Sequence, residues 1–186
     1  MHPESSIRSS KNVQRLIKVA STSLVIGVHG LVLLTPFVGL SSRVALAAFV
    51  SYLLQTFGIM GGYHRYFAHR SFKTSRAFQF VLAWLGCSAM QNGPIWWASC
   101  HRSHHRFTDR PGDPHSPKFD GFWHAHLAWL FDGAWQKPDL SNVKDLAALP
   151  ELRALDRWKW LPTILNGALA TAVFGLPGMV WVFGVA

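Results

Sequence analysis

Apolar residues run uninterrupted by charge over four stretches of this chain, and the stretches differ in what lies within and around them. Val19 to Leu40 holds 22 residues and Val44 to Gly62 another 19, each free of Asp, Glu, Lys and Arg. A helix rises ~1.5 Å per residue, so either run matches the ~30 Å of a bilayer core. Both are predicted to be spanning helices, at about 19–40 and 44–62. Only the segment around Arg43 separates them, which predicts a tight antiparallel hairpin. Val19 to Leu40 is too long for the apolar core of a cleaved signal peptide, and a second span follows at once. A third run, Trp160 to Ala186, predicts a further span at about 162–186.

The fourth run, Ala77 to Cys100, is 24 residues long but carries Gln91, Asn92, Gly93 and Pro94 in its second half. Such helix-breaking and polar residues are poorly satisfied in lipid. If this run crossed, the basic residues that follow it would be translocated against the positive-inside bias. It is therefore expected to lie at the interface or against a cap. Between Leu140 and Trp160, Leu146, Leu149, Leu152 and Leu155 alternate at helical spacing with Lys144, Asp145, Arg153 and Asp156, and Pro150 interrupts them. This predicts two short amphipathic helices lying on the membrane.

Composition adds where the chemistry sits. Apolar residues make up 49% of the chain and charged ones 15%, which argues against a disordered or collagen-like polymer. Of the 18 Lys and Arg residues, 13 fall between Gly62 and Trp160, with eight of the ten His and eight of the nine Trp. The bias places the N-terminus and this middle segment, about 63–160, on the cytoplasmic side. The tryptophans suit an aromatic belt at headgroup level. The net charge of +9 does not imply nucleic acid, because basic residues interleave with acidic ones instead of forming a stripe. Cys87 and Cys100 make no disulfide framework and are expected to be reduced. The fold class expected is all-α: an integral membrane hairpin, a further span and a cytoplasmic helical cap carrying histidine boxes.

Those boxes are His64-Arg65-Tyr66-Phe67-Ala68-His69 and His101-Arg102-Ser103-His104-His105. In the second, spacing of i, i+3 and i+4 puts three imidazoles within about 100° of one helix face. That face is built to converge on a metal. In the first, i and i+5 lie ~140° apart on a regular helix, so both reach one site only if they flank it or the helix loosens. Neutral imidazole suits Fe, Zn, Cu or Ni, and the arginine neighbours favour neutral rings. Ligand nitrogens lie ~2 Å from their metal, so a shared site also forbids Ala77 to Cys100 from crossing. His2, His29 and His124 read as ordinary surface or core residues.

These boxes, with QNGPIWWASCHRSHHRFTD, GDPHSPKFDGFWHAHLAWLF and PELRALDRWKWLP, resemble the membrane-bound fatty acid desaturases of the acyl-CoA or acyl-lipid delta-9 type. The resemblance covers most of the chain and implies one desaturase domain over 1–186. It assigns His64, His69, His101, His104 and His105 to a di-iron centre that activates O2 and forms a cis double bond in a fatty acyl chain. Asn92 and Trp97 match positions lining the acyl or headgroup end of the substrate channel. Asp109, Asp113, His115 and His126 match parts of the pattern that would orient ligands from behind. An acyl-CoA or acyl-lipid substrate, a ferredoxin or cytochrome b5 electron donor and membrane lipid are the implied partners.

Two departures qualify the expectation. The family carries a third histidine box after a further span, and five imidazoles do not fill two irons, so this chain is expected to be C-terminally incomplete and inactive by itself. Where animal acyl-CoA enzymes have an Arg-Asp pair, this chain has Ser99 and Cys100, which leaves the acyl carrier open. A His-box hydroxylase or monooxygenase and a non-catalytic metal-binding membrane fragment remain the alternative readings. A haem protein with paired axial histidines is disfavoured, since only His29 lies inside a span.

Overall fold

The computed structural model describes residues 19, 22–23, 26–131, 135 and 137–186. All regular structure among the described residues is helical. The expected first span falls partly outside them. Within it, 26–32 is helical and Thr35–Phe37 forms a 3-10 turn.

The second span is one rod, α1 (Ser42–Ala68), longer than the apolar run that predicts it because it continues through the first histidine box. Ser41 caps its start by accepting from the Val44 amide. Leu46, Phe49, Val50 and Leu53 point outward, with Leu46 65% exposed. A row of large apolar side chains left bare in this way is the mark of a lipid-facing helix. From Gly58 to Ala68 the rod loosens from α to π geometry. Glycines at 58, 61 and 62 sit at the start of that change, where helix propensity is lowest.

The Ala77–Cys100 run does not form one helix. It is divided into α2 (Arg76–Ser88) and the first half of α3 (Pro94–Phe107), parted by a link in which Met90 and Asn92 adopt positive φ, 59° and 67°. Asn tolerates that conformation better than most residues, and Pro94 then fits the first turn of α3. Neither piece is long enough to span. At its crossing with α1, α2 is so close that a Cβ on Gly58 would lie 2.6 Å from the Gly86 amide nitrogen.

Both amphipathic helices predicted on either side of Pro150 are present, a single turn at Lys144–Ala147 and α4 (Pro150–Arg157). Arg76 at the head of α2 grips Glu151 of α4 bidentately, both bonds 2.7 Å. That guanidinium holds the Glu151 carboxyl down at about 2. The last helical segment, α5 (Leu161–Val185), has the residue count and apolar composition of the span expected at about 162–186, but it does not run as one rod. Gly175, with φ of 62°, turns it back on itself, so that Phe183 meets Gly167 and the returning limb packs with Val182 against Val44 of α1.

One buried cluster joins these elements: Tyr63 and Phe67 of α1, Leu82 and Cys87 of α2, Ile95 and Ala98 of α3, and Leu152 and Leu155 of α4. Burying each large side chain is worth roughly 1.5–3 kcal/mol. This core holds the end of α1 against the middle of α3, which is where the two histidine boxes lie.

Candidate metal centre

The π geometry resolves the awkward spacing of the first box. The His69 amide donates to the His64 carbonyl at 3.1 Å, an i→i+5 bond that stacks the two residues on one side of the backbone. Their Nε2 atoms are 3.1 Å apart. From α3, His101 brings its Nε2 to 3.1 Å from that of His69, and His105 brings its own to 3.0 Å from that of His101. Four imidazole nitrogens from two distant segments thus lie within 4.8 Å of one another.

This spacing fits a metal ion. Two nitrogens each ~2.1 Å from one ion and at right angles about it are ~3.0 Å apart. At two of the four rings the surroundings disfavour the proton. Burial, then the neighbouring imidazoles His105, His64 and His69, push His101 down to about 3. His69 is lowered by burial and by His64 and His105, with Arg102 a smaller contributor. At these two rings burial comes first and the crowding of imidazoles second, with arginine a smaller contributor. Trp97 stacks on His101 with ring centroids 4.7 Å apart and leans on the buried Tyr63, walling one side.

His104 does not join this group. On α3 it lies about 60° to one side of His101 while His105 lies about 40° to the other, so the two adjacent histidines serve different neighbours. His104 Nδ1 sits 2.8 Å from Asp113 Oδ1, and its ring stacks on His115 at 4.2 Å. Together His104, Asp113 and His115 form a second group whose ligand atoms lie within 4.8 Å. Asp113 is buried, but its bonds from His104 and from the Asp109 and His115 amides outweigh that burial and hold its carboxyl below the ordinary value. An ionised carboxylate only accepts, so Nδ1 of His104 is the donor, and in the neutral ring Nε2 is then the nitrogen available to a metal.

Asp109 supports this loop, accepting from Ser116 at 2.8 Å while its amide donates to Asp113. His126 stacks on Phe122, centroids 5.5 Å apart, and belongs to neither group. Asn92 lies at the α2–α3 link, where its carbonyl accepts from the Tyr63 hydroxyl and its side-chain oxygen from Lys159. Cys100 is buried and its thiol is pushed up to about 12, first by burial and then by Asp156, so it offers no thiolate. Ser99 exchanges bonds with the Asp139 backbone and fastens that turn to α3.

Sequence reasoning missed Asp156, which reaches from α4 to accept from the Ile95 and Trp96 amides at 3.1 and 3.0 Å, capping α3 from outside. A Cβ on Gly93 would strike this carboxylate, at 2.1 Å from Oδ1. The signal available was the Gly-Pro entry to a histidine-bearing helix with no capping side chain of its own. Arg102 and Asp145, paired at 2.9 Å, were also missed.

Regular structure that is helical throughout the described residues, a bare apolar rod and, at its end, converging imidazoles that could hold a metal ion together define a class of membrane-associated histidine-box proteins. Comparison with known proteins names the class. The fatty acid desaturase family matches over residues 41–186. Similar chains include acyl-CoA 5-desaturase AL21 of Anemone leveillei, 38% identical over 85% of this chain and 50% of that protein. Delta-9 acyl-lipid desaturase 2 of Arabidopsis thaliana is 38% identical over 85% of this chain and 52% of its own length. Hex-5-enoyl-[acyl-carrier protein] acetylenase of Moorena producens is 36% identical over 69% and 46%. This chain belongs to the fatty acid desaturase family. It spans about half the length of the curated relatives it matches.

Proposed function

We propose that this chain carries the two-box half of a di-iron site for O2-dependent desaturation of a fatty acyl chain. The observation that carries the reading is the set of four Nε2 atoms at 3.0–3.1 Å contacts. His64, His69, His101 and His105 would hold one iron, and His104, with Nδ1 fixed by Asp113, would present Nε2 to the other. Iron bound there would supply the O2 activation needed to break unactivated C–H bonds. The overall change balances as two hydrogens lost from adjacent methylenes, with O2, two electrons and two protons giving a cis double bond and two waters.

The protein's own part is positional. Trp97, partly exposed beside His101 and backed by the buried Tyr63, would give an alkyl chain a surface to lie on, at about 0.8 kcal/mol per CH2 buried. Asn92 and Trp97 are the proposed substrate contacts. Asp109 and His115 brace the loop that presents Asp113. His126 is proposed to act only outside both groups. The boxes face the cytoplasm, the side that the positive-inside rule gives to this basic segment, where a ferredoxin or cytochrome b5 donor would deliver electrons. Delta-9 placement is supported by the resemblance and by two relatives named as delta-9 acyl-lipid desaturases, and an acyl-CoA carrier by a relative named as an acyl-CoA desaturase.

The test is expression of the full-length gene encoding this chain in cells supplied with saturated acyl substrate, followed by mass spectrometry of the lipids. A new double bond supports desaturation and its position tests delta-9. A hydroxyl assigns the site to oxygen insertion instead, and an unchanged lipid profile with full iron loading assigns it to a non-catalytic metal module.

A further inference from the structure

Arg102 lies between two proposed ligands, yet its side chain turns away from both to a different task. Its guanidinium has five N–H donors, and the structure gives each an acceptor. Nε donates to the Ala68 carbonyl at 3.1 Å. Nη2 donates to the Phe67 carbonyl at 2.6 Å and to Asp145 Oδ2 at 3.1 Å. Nη1 donates to the Asn142 carbonyl at 2.7 Å and to Asp145 Oδ1 at 2.9 Å. Asp145 in turn receives Arg70 Nη2 at 2.7 Å.

The positions of these acceptors matter. Phe67 and Ala68 are the last residues of α1, where carbonyls have no onward helical partner, and His69 follows directly. Arg102 is the residue after His101. One planar fork therefore joins the backbone just before His69 to the residue just after His101, and the Nε2 atoms of those two histidines are themselves 3.1 Å apart. Asn142 extends the clamp, since its side-chain amide donates to the Ser99 carbonyl and to the Ser103 hydroxyl on the same helix.

We propose that Arg102 and Asp145 are positioning residues that set the separation between the two histidine boxes, so that four imidazoles surround one ion. The proposal rests on the metal reading above. Asp145 orients the guanidinium from one edge, and the two α1 carbonyls receive it at the other. A lysine keeps the charge but has neither the fork nor five donors, so it cannot hold both carbonyls and the carboxylate together. Two boxes set even a few tenths of an ångström too far apart lose the right-angle spacing of their nitrogens.

The test uses the purified, metal-stripped protein in detergent with Co2+ as the probe, read by its visible absorption and by competition with a chelator. The variants are Arg102→Lys, Asp145→Asn and Asp145→Glu, with His69→Ala as the ligand control. Arg102→Lys is expected to weaken Co2+ binding about 10- to 100-fold and to alter the shape of the visible bands, because supporting contacts around metal ligands have effects of that order. Asp145→Asn, which keeps the guanidinium and its three carbonyl bonds, should show a smaller loss with helix content unchanged. Asp145→Glu should restore part of it. Wild-type affinity and band shape in Arg102→Lys overturn the proposal. If Arg102→Lys does not fold, unchanged affinity and bands in Asp145→Asn overturn it equally. Should His69→Ala bind Co2+ as the wild type does, the metal reading itself fails, an outcome separate from failure of the clamp.

Discussion

His64 and His69 are joined twice: the His69 amide donates to the His64 carbonyl at 3.1 Å, and the two Nε2 atoms lie 3.1 Å apart. The first bond causes the second. A π turn lets residues five apart share one side of the backbone, so the box spacing and the helix type are two expressions of one constraint.

Substitutions at the four-histidine group should be unequal to those outside it. His69→Ala and His101→Ala are each expected to lower iron affinity by at least about tenfold, whereas His126→Ala should leave it unchanged. Iron per chain after equilibration with a calibrated chelator measures this.

The two adjacent histidines of α3 should separate in their dependence on Asp113. Asp113→Asn replaces the charged acceptor that fixes the His104 tautomer with a weaker, neutral one and should reduce iron bound per chain, by no more than His104→Ala does. Adding Asp113→Asn to His104→Ala should then cost little more. A double variant as weak as the product of the two single effects would show that the residues act independently.

Asp156→Ala removes the acceptor for the Ile95 and Trp96 amides at the head of α3. Hydrogen bonds to a charged group contribute about 1.5–3 kcal/mol, and the melting temperature in detergent should fall accordingly. Burial raises the Asp156 pKa while these two amides oppose it, so Asp156→Asn should be the milder change.

The glycine crossing of α1 and α2 makes a prediction of opposite kind, since it adds atoms. Gly58→Ala would place a methyl 2.6 Å from the Gly86 nitrogen and the Leu85 carbonyl carbon, backbone that cannot rotate away. Overpacking of this sort costs about 1–3 kcal/mol, read as lower thermal stability with the helices pushed apart.

Acid should weaken the clamp in a definite window. Burial raises the Asp145 pKa, but bonds from Arg102 and Arg70 outweigh it and leave the carboxyl below the ordinary 3.8. A carboxyl depressed on folding stabilises the protein above its unfolded pKa, and that contribution is lost as pH falls through the folded value. The difference in melting temperature between wild type and Asp145→Asn should therefore be constant above about pH 5 and shrink below pH 4.

Much of this was legible in the sequence because its causes are local. Charge-free length marks α1 and α5, Pro150 divides the amphipathic pair, and Gln91 to Pro94 break the run that might otherwise have crossed. The reversal at Gly175 was not legible, since it depends on a positive φ and on packing of the returning limb against α1. Spacing puts His101 and His105 on one face, but it could not separate His104, whose partners Asp113 and His115 come from a loop. Arg102 read as a charge beside the rings, because its function depends on carbonyls 34 and 35 residues away.

X-ray absorption at the iron edge of the loaded protein tests the central claim most directly. Scattering from several imidazoles at about 2.1 Å, diminished in His69→Ala, is the predicted result. A first shell of oxygen or sulfur with no imidazole scattering, unchanged by that substitution, would contradict it.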